Sequence, residues 1–187
     1  MAVIIGNPYG YPIAQQKTKS SFFLNDSIGY VIAGGDANST ATIGNVLKTT
    51  DGGKTWTNPY GAAISFISDL DGLYFLTPQY GFVSSTDYYN PAVYNTADGG
   101  TTWNKLNVPD GFMKVQFMTN TIGYAINSNQ QTPHFYKTTD GGSTWSLVFS
   151  PPFPIITFHF VDSNVGFLLN NQGYLNMTSD GGATWKP

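Results

Sequence analysis

The groups able to do chemistry in this 187-residue chain are eleven carboxylates, all aspartates, with eight lysines and two histidines; there is no Arg, Glu or Cys. Two carboxylates about 5–9.5 Å apart would suit glycoside hydrolysis. Four of the eleven, however, stand in one repeated phrase: TTDGGKTW (49–56), TADGGTTW (96–103), TTDGGSTW (138–145) and TSDGGATW (178–185). A phrase written four times is architecture before it is an active site. Asp51, Asp98, Asp140 and Asp180, each followed by two glycines, spell a tight hairpin whose carboxylate accepts turn N–H groups while Gly takes positive φ. Trp56, Trp103, Trp145 and Trp185 close the phrase and anchor it in apolar surroundings.

The other aspartates are Asp26, Asp36, Asp69, Asp71, Asp87, Asp110 and Asp162. Asp26 and Asp162 fall in turns, where capping is their expected role. SDLDG (68–72) lacks the third ligand and distant Glu of a calcium loop. His134 and His159 have no Cys or Glu beside them, so no zinc motif exists. His159, in TFHF, alternates with apolar neighbours as a hydrogen-bonded core or channel residue does; His134 opens a strand near a loop and reads as exposed and structurally neutral. No Ser-His-Asp order or phosphate loop is present, and no catalytic residue, metal or cofactor is implied.

The elements that carry these residues are strands. Only 10% of the residues are charged, 16% are aromatic, and Gly, Thr, Asn, Tyr and Phe abound. That composition is all-β. A second phrase precedes each box: FLNDSIGY (23–30), FLTPQYGF (75–82), FMTNTIGY (117–124) and FVDSNVGF (160–167). In each, a Phe stands ahead of a Gly that is followed by an aromatic residue. VQF (115–117), GYAIN (123–127), HFYKT (134–138) and the segment after the Trp give four short strands per unit. Four strands recurring roughly every 40–45 residues are the signature of β-propeller blades. The expectation is one domain over 1–187, with blades near 19–60, 66–107, 113–149 and 155–187, each of four antiparallel strands.

The box resembles the Asp-box, or BNR, repeat (Ser/Thr-x-Asp-x-Gly-x-Thr-Trp), and all four copies match it in full. Sialidases, glycoside hydrolases of the oligoxyloglucan type, sortilin-type receptors and photosystem II assembly factors carry such repeats, so the resemblance implies a fold rather than an activity. For a sialidase it implies an arginine triad, a Tyr nucleophile and a Glu partner. Without Arg or Glu that activity is excluded.

NPYG occurs at 7–10 and 58–61, which sets Ile5 opposite Trp56 and makes 1–10 read as the fourth strand of a blade. The last box runs only to Trp185-Lys186-Pro187. The expectation is that the N-terminal strand completes the last blade, in the same chain as a closed four-bladed ring, or in a neighbour as a homo-oligomer.

What remains for function is one face, where the connections between strands two and three and between strands four and one emerge. Asp87, Tyr88, Tyr89 and Asn90, with Asp36 and Tyr60, offer aromatic surface beside hydrogen-bonding groups there, suited to a glycan or a protein. A net charge of −3 without arginine argues against nucleic acid. No apolar run spans a membrane, and the start of the chain does not read as a signal peptide. The sequence therefore reads as a non-enzymatic binding or assembly module on a cell or virion surface. The other reading is a glycosidase-like propeller using aspartates alone.

Overall fold

The computed structural model describes residues 17–34, 45–59, 70–85, 92–127, 129 and 131–187. Among these residues, fourteen strands form four antiparallel sheets, each built from consecutive strands. Sheet 1 holds β1 (Lys17–Phe23), β2 (Gly29–Gly34) and β3 (Asn45–Thr49). Sheet 2 holds β4 (Leu70–Phe75), β5 (Gly81–Ser85), β6 (Ala92–Thr96) and β7 (Asn104–Leu106). Sheet 3 holds β8 (Phe112–Phe117), β9 (Gly123–Asn127), β10 (Phe135–Thr138) and β11 (Ser146–Phe149). Sheet 4 holds β12 (Ile155–Phe160), β13 (Gly166–Asn170) and β14 (Leu175–Thr178). Each first strand carries a bulge at the same register, which adds twist where the sheet begins.

Among the described residues, sheets 1 and 4 hold three strands each. After their boxes, the fourth strand is a single bridge: Lys48 with Thr57, and Met177 with Lys186. Pro59 follows Thr57 by two residues and brings no N–H to the ladder of sheet 1, whereas Asn104–Leu106 and Ser146–Phe149 are free of proline.

The Phe–Gly–aromatic phrase is the unit of packing. Phe23, Phe75, Phe117 and Phe160 pair across the strands with Gly29, Gly81, Gly123 and Gly166. The ring lies over the glycine: a Cβ on Gly123 would sit 2.6 Å from Phe117. The tryptophan of the same sheet meets the ring edge-on, with centroids 5.9–6.1 Å apart and planes 81–85° apart. The residue after each glycine points to the opposite face and stacks on the phenylalanine of the next sheet. Tyr30 lies on Phe75 (centroids 3.4 Å, planes 3° apart), Phe82 on Phe117 (3.8 Å, 2°) and Tyr124 on Phe160 (3.7 Å, 6°). Three apolar clusters grow around these stacks, one at each junction between successive sheets.

Polar atoms lock the same junctions. The Tyr30 hydroxyl donates to Pro78 O (2.8 Å), Tyr74 to Phe117 O (2.7 Å) and Tyr124 to Ser163 O (2.6 Å). Gln116 grips sheet 4 twice, donating from Nε2 to Phe160 O and accepting Phe160 N–H, both at 2.9 Å.

These contacts separate two substitutions at neighbouring sites. Phe117→Ala removes a fully buried ring shared by two sheets and should cost ~3–5 kcal/mol. Tyr124→Phe keeps the stack and loses one hydroxyl bond, a cost of about 0.5–1.5 kcal/mol. Urea denaturation of both variants checks the ranking, and equal losses would remove the stack from its central place.

Candidate functional site

The repeated aspartates are committed to their own turns. In the third box, Asp140 Oδ1 accepts Thr144 N–H (2.9 Å) and the Thr138 hydroxyl (2.8 Å), and Oδ2 accepts the Thr144 hydroxyl (2.6 Å). Thr138 Oγ1 in turn accepts Gly142 N–H, and the indole of Trp145 donates to Gly142 O. The same bonds recur around Asp51, Asp98 and Asp180. Both box glycines have positive φ, +75° and +88° at Gly141 and Gly142. The first of them donates its N–H to the neighbouring β-turn, Gly141 to Thr121 O at 2.9 Å. Each box is therefore stapled to the turn between the first two strands of its sheet, at one end of the sheets.

Hydrogen bonding by the threonines holds these carboxyls low. Thr55, Thr144 and Thr184, through hydroxyl and backbone, bring Asp51, Asp140 and Asp180 from 3.8 to about 2. Partial burial pushes Asp98 up, but the bonds from Thr102 and Thr96 prevail and its value is lowered. At the same end Asp162 caps its turn, accepting Asn164 and Val165 N–H at 2.7 and 2.8 Å. In the first turn the cap is Asn25, which takes Ser27 and Ile28 N–H; the capping role expected for Asp26 belongs to its neighbour.

The opposite end differs. There the β7–β8 connection brings Asp110 against the β9–β10 connection. Asp110 Oδ2 accepts Asn127 Nδ2 at 2.8 Å and lies 3.4 Å from His134 Nδ1, while Oδ1 takes Gly111 N–H at 2.9 Å. The Tyr136 hydroxyl stands 3.1 Å from His134 Nδ1 and 3.5 Å from Asp110 Oδ2. The Tyr136 hydroxyl, His134 Nδ1 and Asp110 Oδ2 thus lie within hydrogen-bonding reach of one another. Asn127 completes the set, accepting His134 N–H and donating to Thr132 O. Burial, then the Asp110 charge, raises the Tyr136 phenol to about 12, so it remains a donor at neutral pH. His134 and Asp110 stay about 30% and 31% exposed. The result is a pre-formed acceptor and donor pair at a loop surface.

A cavity of about 440 Å³ lies where the first strands of all four sheets converge, lined among others by Phe22, Tyr74, Lys114, Gln116 and His159. Its best donors are already used. Lys114 Nζ donates to Phe158 O (2.6 Å) and Thr157 Oγ1 (2.9 Å), and burial lowers its pKa. Gln116 is engaged at both ends. His159 lines this channel, as its alternating position in β12 led us to expect.

Asp36, Tyr60, Asp87, Tyr88, Tyr89 and Asn90 lie outside the described residues, as does the N-terminal strand over 1–10. Among the described residues no three metal-ligating side chains cluster. The Asp110–His134–Tyr136 group was missed by sequence reasoning, which treated His134 as structurally neutral.

No protein-family model matches the sequence, and no curated protein sequence does. Solved structures match it clearly. The chain superposes on YCF48 from Cyanidioschyzon merolae with a TM-score of 0.64 at 15% identity, over 92% of this chain and 56% of that one. YCF48 bound to D1 peptide gives 0.56 at 13%, over 92% and 66%. An ancestral GH74 enzyme gives 0.63 at 14%, over 90% and 23%. These are β-propeller proteins. The fold is a β-propeller. Identities this low carry the fold alone, and the chain spans less than two thirds of the length of each of these relatives. They include both enzymes and YCF48, so activity does not follow from the likeness.

The box carboxyls give a prediction with a definite sign. Their folded values lie below 3.8, so the stability they contribute is complete above about pH 4 and is lost as pH falls through about 2. The melting temperature followed by circular dichroism should drop across that window. Asp140→Asn should start lower at neutral pH and lose less on acidification; an unchanged slope would show that the box carboxyls do not govern it.

Proposed function

We propose that this chain is a non-enzymatic binding or assembly module. It is a single domain of four Asp-box blades that works at a cell or virion surface. It recognises a protein segment through the face where the Asp110–His134–Tyr136 group lies. The observation that carries this reading is the contrast between the two ends of the sheets. The four box carboxylates and Asp162 at one end are spent on their own turns. At the other, Asp110 and His134 are half-exposed and held in register by buried Tyr136 and Asn127. Such pre-ordered polar groups beside aromatic rings suit recognition, because little entropy remains to be lost on binding. Asp36, Tyr60, Asp87, Tyr88, Tyr89 and Asn90 are proposed to contribute to the same recognition. A structural neighbour is YCF48 bound to D1 peptide, which makes a peptide the first ligand class to test.

A glycosidase-like reading would need a second carboxylate within about 9.5 Å of Asp110. Outside the boxes and turns, the described residues hold Asp71, at the start of β4, as well as Asp110.

Peptide-display selection against the whole chain, run beside a glycan array, tests the proposal. Selected peptides should bind His134→Ala at least about tenfold more weakly, with its melting temperature unchanged. Ligands indifferent to His134, Tyr88 and Tyr89 would place recognition elsewhere. Hydrolysis of an array glycan would replace the binding reading with the enzymatic one.

A further inference from the structure

The residue ahead of each phenylalanine of the Phe–Gly pair lines the central cavity, and in three of the four sheets it is committed. The Phe22 ring meets Tyr74 of the next sheet at 5.0 Å, the Tyr74 hydroxyl donates to Phe117 O, and Gln116 is bonded to Phe160 twice. His159 is the fourth of this series by register, opposite Phe167 as Gln116 is opposite Tyr124. It is exposed, lines the same space of about 440 Å³, and has no hydrogen-bond partner among the described residues. Lys114 stands beside it. Its Nζ spends two of three N–H groups on Thr157 Oγ1 and Phe158 O, which leaves one. It forms no ion pair with a described side chain, and burial lowers its pKa. An ammonium withdrawn from water without a counter-charge is costly to hold. Thr157 and His159 share one face of β12, about 7 Å apart along the strand, so Lys114 and the imidazole address one region. The wall around them is apolar: Phe22, Leu73, Met113 and Ile156, the last of them 49% exposed.

We propose that this cavity binds a small organic monocarboxylate, its carboxylate between Lys114 and His159 and its apolar body against Phe22, Tyr74 and Ile156. The site goes beyond the peptide reading, since it uses none of the residues of the loop face. One lysine calls for one negative charge. A phosphate dianion or a dicarboxylate would bring a second charge, and no second lysine stands among the lining residues. The remaining N–H of Lys114 gives the carboxylate a charge-assisted bond, and an imidazole has an N–H to offer in either neutral tautomer. The apolar body covers the exposed part of Ile156 and the aromatic rings. The space falls within the roughly 300–1,000 Å³ of small-molecule sites, which are mostly apolar with a few placed polar groups.

Calorimetric titration and amide NMR shifts on the full chain test the proposal, with phenylbutyrate as the probe and phenylbutanol as its uncharged twin. The acid should bind with a Kd of about 1 mM or below, and the alcohol at least about tenfold more weakly. The amides that shift should be those of Lys114–Gln116 and Thr157–His159. Lys114→Met should erase the advantage of the acid over the alcohol. Because Lys114 also ties sheet 3 to sheet 4, His159→Phe is the second variant: it has no bond to lose in the free protein, and should weaken the acid at least about threefold with the melting temperature unchanged. Equal binding of acid and alcohol, no binding of the acid up to about 20 mM, or equal competition by inorganic phosphate would each overturn the proposal. Shifts gathered around Asp110 and His134 instead would overturn it while leaving the loop face as the recognition surface. Failure here is therefore distinct from failure of the peptide reading.

Discussion

A phenylalanine ring laid flat on a glycine is the constraint from which the rest of this molecule follows. The glycine has to lack a side chain because the ring occupies the space of its Cβ. The ring has to be flat and apolar because a second aromatic from the preceding sheet lies parallel to it. The tryptophan of the box closes its edge. One side chain therefore joins two strands, one hairpin and two sheets. Parallel rings with centroids under about 4 Å are closer than the usual offset or edge-on pairs. Each is held there by a tight backbone on one side and a tyrosine hydroxyl or cluster of aliphatic groups on the other.

The box complements this apolar joint with a polar one. Its aspartate fixes the hairpin that delivers the tryptophan, and its first glycine fastens that hairpin to the turn ahead of it. All of this order is concentrated at one end of the sheets. The other end carries connections of varied length and composition, which take no part in the joint and are free to hold recognition chemistry. In the reading proposed above, Asp110, His134 and Tyr136 use that freedom: β10 sets Tyr136 in register against β9, and Asp110 comes from the β7–β8 connection.

That division also explains what the sequence disclosed. The all-β class, the hairpins at Asp51, Asp98, Asp140 and Asp180, the anchoring tryptophans and the Phe–Gly pairing were legible because four copies repeat the same local physics. The single bridge after the first box was legible in principle, from Pro59 close behind Thr57. The stacking between sheets was hidden, since it links the aromatic of one unit to the phenylalanine of the next. The Asp110–His134 contact was hidden for a different reason. It joins residues of two connections that no other unit shares, and the available signal was the departure itself: His134 stands where Asn45, Ala92 and Tyr174 stand in the other sheets. Asp26 misled because the acceptor needed one residue earlier was supplied by Asn25.

Among the described residues, each stack on the phenylalanine of a Phe–Gly pair runs from one unit to its immediate successor. A segment running from one glycine of the Phe–Gly pair to the next glycine therefore carries a complete socket and a complete plug. Unequal recombination between such segments would lengthen or shorten the chain by whole units without creating a junction the protein does not already possess. The gene can change the number of blades more easily than it can change the contact between them.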